Sequence, residues 1–380
     1  MRKTTVVLTA AMAASLTYAE SIIQPINEKG YGTFSGKVQS LSMYRDGVSG
    51  SGVNGAKSTL GTTISYDSPE VSGFDVGLEY DYYKEVYDNN TSAVLGNPEL
   101  AILNEAYLRY NFGLVGLTNT TVSIGRKINN AEVFRADEIR NKSRSIMALE
   151  AGSKDIENWS IAGGHAFEQS SWNSDDFVDL GDYGITWAEA VYTGMDKLEL
   201  ALFDAVVWDE VNMFGGRGRY ELNGETAILG YFRREKSIGD GVSEGDALGL
   251  SIEHKLCGVT LEGGYFGVYG DGLLLDQRSI GFNHVLGTAM LISGGHWDAG
   301  ANTYYVTAKT QLENTKTSLY ALASYTDNGR TGSLGNGYEI NTVIKQPLMD
   351  NLSLAVKGAI GEAENTTKAT DCRLFVTYTF

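Results

Sequence analysis

The chain contains only two cysteines, four prolines and four histidines among its 380 residues, and it has no long apolar run. Two cysteines cannot form the disulfide framework of a small secreted protein. The apolar run from about Val6 to Leu16 is shorter than the roughly 20 residues that a helix needs to cross a bilayer. These scarcities exclude a disulfide-rich domain and a helical membrane protein.

Basic residues are also scarce, because 30 Lys and Arg stand against 47 Asp and Glu, for a net charge of −17. Affinity for nucleic acid comes mainly from basic groups on phosphates, so we expect no nucleic-acid partner. The four histidines never fall at metal-ligand spacing, and no cysteine lies near enough in the pattern to complete a zinc site. We therefore predict no metal site and no other cofactor.

The start of the chain has the order of a secretory signal peptide. Arg2 and Lys3 precede the apolar run, and the run ends in Thr-Tyr-Ala at Ala19. Such a basic, apolar and small-residue sequence is removed on export. We predict a signal peptide over residues 1–19 and a single domain over residues 20–380.

Segments in which apolar and polar residues alternate occur along most of the chain. From Phe74 to Tyr82 every second residue is apolar or aromatic, and Ala106 to Phe112 repeats the pattern. This period of two predicts a strand with one apolar and one wet face. Many segments reach about ten to twelve residues, the length with which a tilted strand crosses a bilayer. The prolines lie between the segments, as a hydrogen-bonded ladder requires.

The alternation predicts eighteen strands joined by connections that are short and long in turn. An even number of antiparallel strands with short periplasmic turns and long extracellular loops is typical of an outer-membrane barrel. The count is consistent from both ends only if 271–301 is one loop. The segment LISGGHW inside it could instead be a strand, and sixteen strands is the alternative count. The predicted strands lie near 32–44, 57–67, 73–84, 104–112, 119–127, 146–153, 158–168, 184–193, 197–208, 212–222, 225–236, 246–256, 259–270, 302–312, 316–327, 336–346, 351–361 and 370–380.

The fold class predicted is therefore all-β, a transmembrane antiparallel β-barrel in the bacterial outer membrane. A closed barrel pairs its last strand with its first, which explains why the alternation continues to Phe380. A final strand of this kind, ending in an aromatic residue, resembles the β-signal that directs barrel insertion. We assign Phe380 as an assembly signal with an outward side chain, and we expect outer-membrane lipids and the barrel-assembly machinery as partners. We also predict that Cys257 and Cys372 form no disulfide.

The stretch from Asn104 to His165 contains NEAYLRYNFG, SIGRK, INNAEVFRADEIRNKSRS and MALEAGSKDIENWSIAGGH. It resembles the OprD-like (Opr) family of outer-membrane channels. The resemblance implies eighteen strands, a third extracellular loop that folds inward to narrow the pore, and passage of small solutes, often carboxylates, along basic side chains. The family often has a proline after its Gly-Arg-Lys motif, where this chain has Asn129-Asn130-Ala131. The inward fold of loop 128–145 is therefore an expectation.

Strand alternation points many basic side chains into the lumen. A mixed-charge constriction would bias which solutes enter. Alternatively, the strand charges face inward only to avoid lipid, and the loop charges only balance one another. With Phe214 and Tyr220 facing outward, we expect a bulge at Gly215-Gly216 to set the register. The candidate constriction residues are Arg109, Lys127, Arg217 and Arg219 on strands and Arg135, Asp137, Glu138, Arg140 and Arg144 in the loop, with Lys255, Lys309, Lys345, Lys357 and Arg373 also pointing inward.

The leading hypothesis is a porin, a passive diffusion channel for small hydrophilic solutes such as carboxylates or amino acids, with no enzymatic activity. One alternative is a sixteen-stranded general trimeric porin, although its PEFGG-like signature is absent. The other is an outer-membrane barrel enzyme or adhesin, although no G-x-S-x-G elbow is present. Both a monomer and a homotrimer are compatible with the sequence.

Overall fold

The computed structural model describes most of the predicted domain. The predicted signal peptide and the segment LISGGHW lie outside the described residues. These residues are 27, 30–48, 53–89, 99–134, 136, 140–238, 243–273, 298–328, 335–365 and 368–380.

Long antiparallel strands make up nearly all of the described chain. Eighteen of them run for 8 to 16 residues, and β8 is a two-residue strand that pairs with the end of β7. The prediction of eighteen barrel strands is confirmed, and the sixteen-strand alternative is wrong. The strands are β1 Thr33–Val48, β2 Val53–Asp67, β3 Phe74–Asp88, β4 Leu100–Asn111, β5 Thr120–Lys127, β6 Ser145–Ser153, β7 Trp159–Ser170, β8 Val178–Asp179, β9 Ile185–Met195, β10 Leu198–Val207, β11 Val211–Asn223, β12 Thr226–Ser237, β13 Glu244–Leu256, β14 Val259–Gly270, β15 Asn302–Leu312, β16 Thr317–Asp327, β17 Gly337–Pro347, β18 Leu352–Ala363 and β19 Ala369–Thr379.

The sheet closes on itself. Each long strand pairs with its sequence neighbours, β7 pairs directly with β9, and β1 pairs with both β2 and β19. A closed ladder leaves no unpaired edge, so every strand can satisfy its backbone hydrogen bonds without water. No helix in the described part of the chain is long and apolar enough to cross a membrane.

The connections differ between the two ends of the barrel. At the end we call the turn side, they range from two residues, as at Cys257–Gly258, to eight at 112–119. Cys257 and Gly258 have φ of 49° and 80°, the left-handed conformation of a tight hairpin turn. The opposite end, the loop side, carries the longest connections, including 128–144 and 271–301. It also has the three-residue connection 208–210, which is an exception to the predicted alternation of short and long connections.

The outer face of the barrel is apolar over its middle. Leu202, Leu250 and Ile252 leave 50%, 58% and 54% of their area exposed. In water these side chains would form a large apolar patch that promotes aggregation. Aromatic rings lie at the ends of the strands, as in the tilted pair Trp159–Tyr192, whose centroids are 4.7 Å apart. An apolar band between aromatic girdles is the lipid-facing surface of an outer-membrane barrel.

The register of β11 differs from the predicted one at one point. The strand pairs with β10 through Gly215 and Gly216 with no shift in register, so the predicted bulge is wrong. Regular alternation already separates Arg217 from Phe214 and Tyr220, since odd and even positions fall on opposite faces.

The last strand has the predicted faces. Leu374 is exposed outward, whereas Asp371 and Arg373 are buried on the lumen face. Phe380 extends the ladder beyond β19, because its backbone and that of Gly36 exchange two hydrogen bonds of 3.0 Å. The Phe380 ring lies over Gly36, where an added Cβ atom would approach the ring to 2.8 Å. The exposed thiols of Cys257 and Cys372 are free.

Deletion of Phe380 should sharply reduce the amount of assembled barrel. The deletion removes the terminal aromatic residue and the last two hydrogen bonds of the β1–β19 ladder, and an unpaired edge strand aggregates. The measurement is the heat-modifiable, folded fraction in outer-membrane preparations. Leu348→Ala, which removes another exposed apolar side chain on the turn side, is the control and should assemble normally.

Equal folded amounts of wild type and deletion protein would contradict an assembly role for Phe380. Deletion protein that does insert should conduct like wild type, because Phe380 does not face the lumen. A changed conductance would mean that the two faces of β19 are exchanged, as a one-residue slip would produce.

Candidate functional site: the lumen constriction

The connection between β5 and β6, residues 128–144, is loop 3. It begins inside the barrel, because β5 and β6 have 8 and 9 residues whereas the neighbouring β4 and β7 have 12 each. The chain therefore leaves the wall below the loop-side rim.

The first half of loop 3 packs against the inner wall formed by β9 to β11. Val133 and Phe134 are 0% and 4% exposed. The Phe134 ring meets Trp187 of β9 edge to face at 5.7 Å. Phe203 of β10 and Met213 of β11 belong to the same buried cluster. Burial of this apolar surface holds the loop against the wall.

Charged groups reinforce that contact. The Arg217 guanidinium donates to Glu132 of loop 3 from Nε at 2.8 Å and from a terminal nitrogen at 2.7 Å. Arg217 also pairs with Glu199 of β10, and the Glu132 backbone N–H donates to Glu189 of β9. Charge-assisted hydrogen bonds of this kind fix geometry more firmly than neutral ones.

Asn104 of β4 holds the second half of loop 3, on the opposite side of β5 from the wall that binds the first half. Asn104 is the extra residue of a β-bulge in β4, because Glu79 pairs with Glu105 and Tyr80 with Leu103. A bulge re-aims a side chain, and here the amide is fully buried. Its nitrogen donates to Glu79 at 3.1 Å and to the Ser143 carbonyl at 3.4 Å. Its oxygen accepts from Ser145 at 2.6 Å and from Lys142 at 3.2 Å.

Lys142 is the most deeply buried basic group of the described part of loop 3. Besides Asn104, its ammonium donates to the Ser143 carbonyl at 3.3 Å and to Ser170 of β7 at 3.0 Å. Three acceptors match its three donors. Burial lowers the pKa of Lys142 to about 8, and the nearby carboxylates Asp81 and Glu79 oppose that decrease.

The described parts of loop 3 therefore lie inside the barrel. Glu132 contacts β11, whereas Asn141 accepts a hydrogen bond of 2.9 Å from Thr59 of β2. The two partners, Arg217 of β11 and Thr59 of β2, face the lumen on opposite sides of β5, the strand after which the loop begins. The inward fold implied by the family resemblance is confirmed, although this chain lacks the family's proline.

Two of the predicted strand residues converge on one aromatic ring. Arg109 pairs with Asp75 at 2.9 Å, and its guanidinium lies 5.9 Å from the Tyr107 centroid. Lys127 pairs with Glu150, and its ammonium lies 5.7 Å from the same centroid. Each cation thus has a carboxylate partner on the lumen wall.

The other predicted residues are distributed along the lumen. Arg219 pairs with Glu253 at 3.2 Å. Arg140 and Arg144 lie over the Trp172 ring at 5.7 and 4.0 Å, near the loop-side mouth. Arg135, Asp137 and Glu138 lie outside the described residues. Whether these side chains select solutes stays a prediction.

The lumen wall carries charges of both signs. Counted around the closed barrel, β5 to β10 lie across from β15 to β19, whereas β3 is separated from β19 only by β1 and β2. The sequence analysis selected basic residues and missed the strand carboxylates, although the same alternation places them inward. The missed carboxylates include Asp75, Glu79 and Asp81 on β3, Glu150 on β6 and Glu189 on β9. The wall that we call the basic sector contains Lys309 on β15, Lys345 on β17, Lys357 on β18 and Arg373 on β19, together with the buried carboxylates Glu339 and Asp371.

Arg373 has a different environment from the rest of the basic sector. It binds both oxygens of Asp371 at 2.8 Å, and Arg45 of β1 binds the same carboxylate at 2.7 Å. All of these atoms lie at the β1–β19 seam. This cluster joins the first and last strands from the inside.

The geometry matches solved structures of outer-membrane porins. Pseudomonas aeruginosa OccK3 (OpdO) superposes with a TM-score of 0.76 at 14% identity, over 91% of this chain and 95% of that one. A BenF-like porin from Pseudomonas fluorescens Pf-5 gives 0.75 at 14% identity, over 92% and 98%. Acinetobacter baumannii OccAB4 gives 0.73 at 14% identity, over 91% and 97%. The expected likeness to OprD-like channels is confirmed for the fold.

No protein-family model and no curated protein sequence matches the chain. The likeness that these comparisons show is therefore one of fold.

Asn104→Ala should loosen loop 3. The substitution leaves Lys142, Ser143 and Ser145 without their common partner, and a buried group that loses its partner costs about 1–3 kcal/mol. We expect a lower free energy of unfolding together with larger fluctuations of the single-channel current.

The control is Asn223→Ala, since Asn223 only caps the β11–β12 turn through the backbone N–H groups of Glu225 and Thr226. It can reduce stability but should leave current fluctuations unchanged. A quiet, wild-type current in Asn104→Ala would show that loop 3 is held without this amide.

Proposed function

We propose that this protein is a passive outer-membrane channel for small hydrophilic solutes, with carboxylates and amino acids as the favoured class. The observation that supports this most strongly is loop 3, whose described parts contact the lumen wall at β11 and at β2 and lie among charged side chains of both signs. A solute must pass the loop within reach of these charges. Charged groups lining a narrow pore bias which solutes enter.

The range of the electrostatic effect suits such selection. The Debye length is about 8 Å at physiological salt, so charges act on a solute at the constriction and only weakly on one in the wide mouths. A carboxylate would be drawn toward the basic sector. An amino acid could turn its ammonium group toward Glu150 and Glu189 at the same time.

The similar structures support the same class of solute. Pseudomonas aeruginosa OpdK, which superposes with a TM-score of 0.75 at 13% identity over 91% of this chain and 98% of that one, was solved with vanillate, a carboxylate. The similar proteins are channels, and we infer that this chain likewise has no catalytic role. Monomer and homotrimer are both consistent with the proposal.

Purified protein in a planar bilayer tests the proposal. We expect stepwise conductance and, in liposome-swelling assays, faster entry of small carboxylates than of neutral solutes of equal size. Absence of stepwise conductance together with hydrolysis of lipid or peptide would favour the barrel-enzyme alternative instead.

Removing charges at the loop 3 contact should change ion selectivity in opposite directions. Arg217→Gln should lower the ratio of anion to cation permeability, and Glu132→Gln should raise it. We expect each change to be about two- to fivefold, the effect of an interaction of up to about 1 kcal/mol in a solvated setting. Reversal potentials in a salt gradient give the ratio.

Lys154→Gln is the matched control for these charge changes, because Lys154 lies in the turn between β6 and β7, away from loop 3. Its selectivity should equal that of wild type. If both Arg217→Gln and Glu132→Gln moved the ratio in the same direction, loosening of loop 3 would be the cause, and direct charge selection would be ruled out.

A further inference from the structure

An acidic side chain, Asp204 of β10, faces the lipid in the middle of the apolar band. It is exposed and shares the outer face of the strand with Leu202. Leu200 pairs in register with Tyr192 of the turn-side girdle, and Trp208 lies exposed at the loop-side end of the strand. Asp204 is four residues from Leu200 and four from Trp208, roughly 13 Å along the strand in each direction.

A basic side chain, Arg126 of β5, faces the lipid at the same depth. It lies two residues from Ile124, which is exposed on the outer face, and strand alternation puts both on that face. Val122, four residues nearer the turn side, pairs with Tyr110 of the turn-side girdle. Arg126 and Asp204 are therefore each four residues above a strand position that pairs with a girdle ring.

The Asp204 carboxylate forms no ion pair with any residue that the structure describes. Arg234, an outward cation two strands away in the same register row, binds Glu244 at 3.1 Å and Asp246 at 3.7 Å instead. A short carboxylate cannot extend to the headgroups as a lysine or arginine side chain can. Ionised groups within a membrane usually pair with another charge, so Asp204 calls for a cation from outside its own barrel.

Arg126 likewise has no carboxylate partner among the described residues. Its guanidinium donates to the Leu103 carbonyl at 3.4 Å and lies 4.3 Å from the centroid of the Phe177 ring. Both contacts leave the charge in place, and the hydrogen bond uses one of five donors. An arginine on the lipid face is costly. Arg126 therefore calls for an anion at the same depth as Asp204.

Small side chains occupy the wall between the two charges. One register row runs from β5 to β10 through Val122, Ala151, Gly163, Ala188 and Asp204. Its three middle residues add no more than a methyl group each to the outer face. Small residues let two membrane-embedded backbones approach closely, so another protein wall can come nearest between the charges.

We propose that a second copy of this chain covers the lipid face from β5 to β10 in a two-fold symmetric pair, in which Arg126 of each copy binds Asp204 of the other. The central strand, β7, is two strands from β5 and two from β10. A two-fold axis beside β7 exchanges the flanks of this surface, so each basic flank meets an acidic one. The opposite charges carry the proposal, because lipid tails cover an apolar wall but supply no ion pair.

Two-fold symmetry suits this surface better than a ring does. Around a two-fold axis the small residues of β6, β7 and β9 meet those of the other copy, and the long arginine spans the gap where the two curved walls diverge. In a ring of three or more copies β7 would face the ring axis, and its Gly163 would contact no neighbouring wall. The inference does not depend on the proposed channel function.

Cross-linking between introduced cysteines in outer membranes tests the pair. In a background with Cys257→Ser and Cys372→Ser, the substitutions Arg126→Cys and Asp204→Cys are made singly and together. Within one barrel these two positions are four strand spacings apart, roughly 19 Å, which a short bis-maleimide cannot span. We expect a cross-linked dimer only from the protein with both cysteines, because the two-fold axis keeps like positions apart.

Charge reversal tests the ion pair itself. Asp204→Arg and Arg126→Asp should each lower the dimer fraction about tenfold, since like charges then face each other, and the double variant should restore it. Asp204→Asn, which only removes a charge, should act in the same direction. Lys84→Asp is the matched control, because Lys84 is an exposed cation of β3 outside this surface. Light scattering in mild detergent gives the dimer fraction, and heat-modifiable mobility checks folding.

Several outcomes would overturn the two-fold pair. Dimers from either single-cysteine protein would indicate random contact, and cross-linked trimers or longer ladders would indicate a ring. Absence of any cross-linked product, or a double charge reversal that fails to restore the dimer, would remove the ion pair. Conductance is a separate readout, since a folded monomer that conducts would leave the channel function standing without the pair.

Discussion

Closure of the hydrogen-bond ladder between β1 and β19 is the constraint on which the rest of the structure depends. In lipid no water is present to satisfy an open edge, so each strand must have two neighbours. The backbone exchange between Gly36 and Phe380 completes this ladder at the turn side. The cluster of Arg45, Asp371 and Arg373 joins the same two strands from within the lumen.

Closure also decides where charge can be placed. With lipid outside, Arg and Lys near the midplane are favourable only on the lumen face, since exposure to lipid costs roughly 2–4 kcal/mol. The lumen thus collects both signs of charge, and these charges set the electrostatic field inside the barrel. Loop 3 brings this field close to a passing solute, because Arg217 holds one half of the loop and Asn104 the other.

The eighteen strands and their faces were predictable because a period of two is a local property. The pattern ending at Phe380 places Leu374 outward and Arg373 inward with no knowledge of the partner strand. The same rule gave lumen positions for Arg109, Lys127, Arg217 and Arg219. The bulge inferred at Gly215-Gly216 was unnecessary, because regular alternation alone gives the observed faces of β11. The rule missed the bulge at Asn104, where one unpaired residue breaks the period.

The sequence by itself determined the all-β barrel, the number of its strands and the face of most side chains, because these follow from alternation and segment length. Only the tertiary structure decided which lumen residues meet. Glu132 and Arg217 are distant in sequence, as are Arg45 and Asp371, and their proximity depends on the register between strands and on the path of loop 3. Register is set by turn geometry and by how the patterns of two neighbouring strands match, so the period of either strand alone does not determine it.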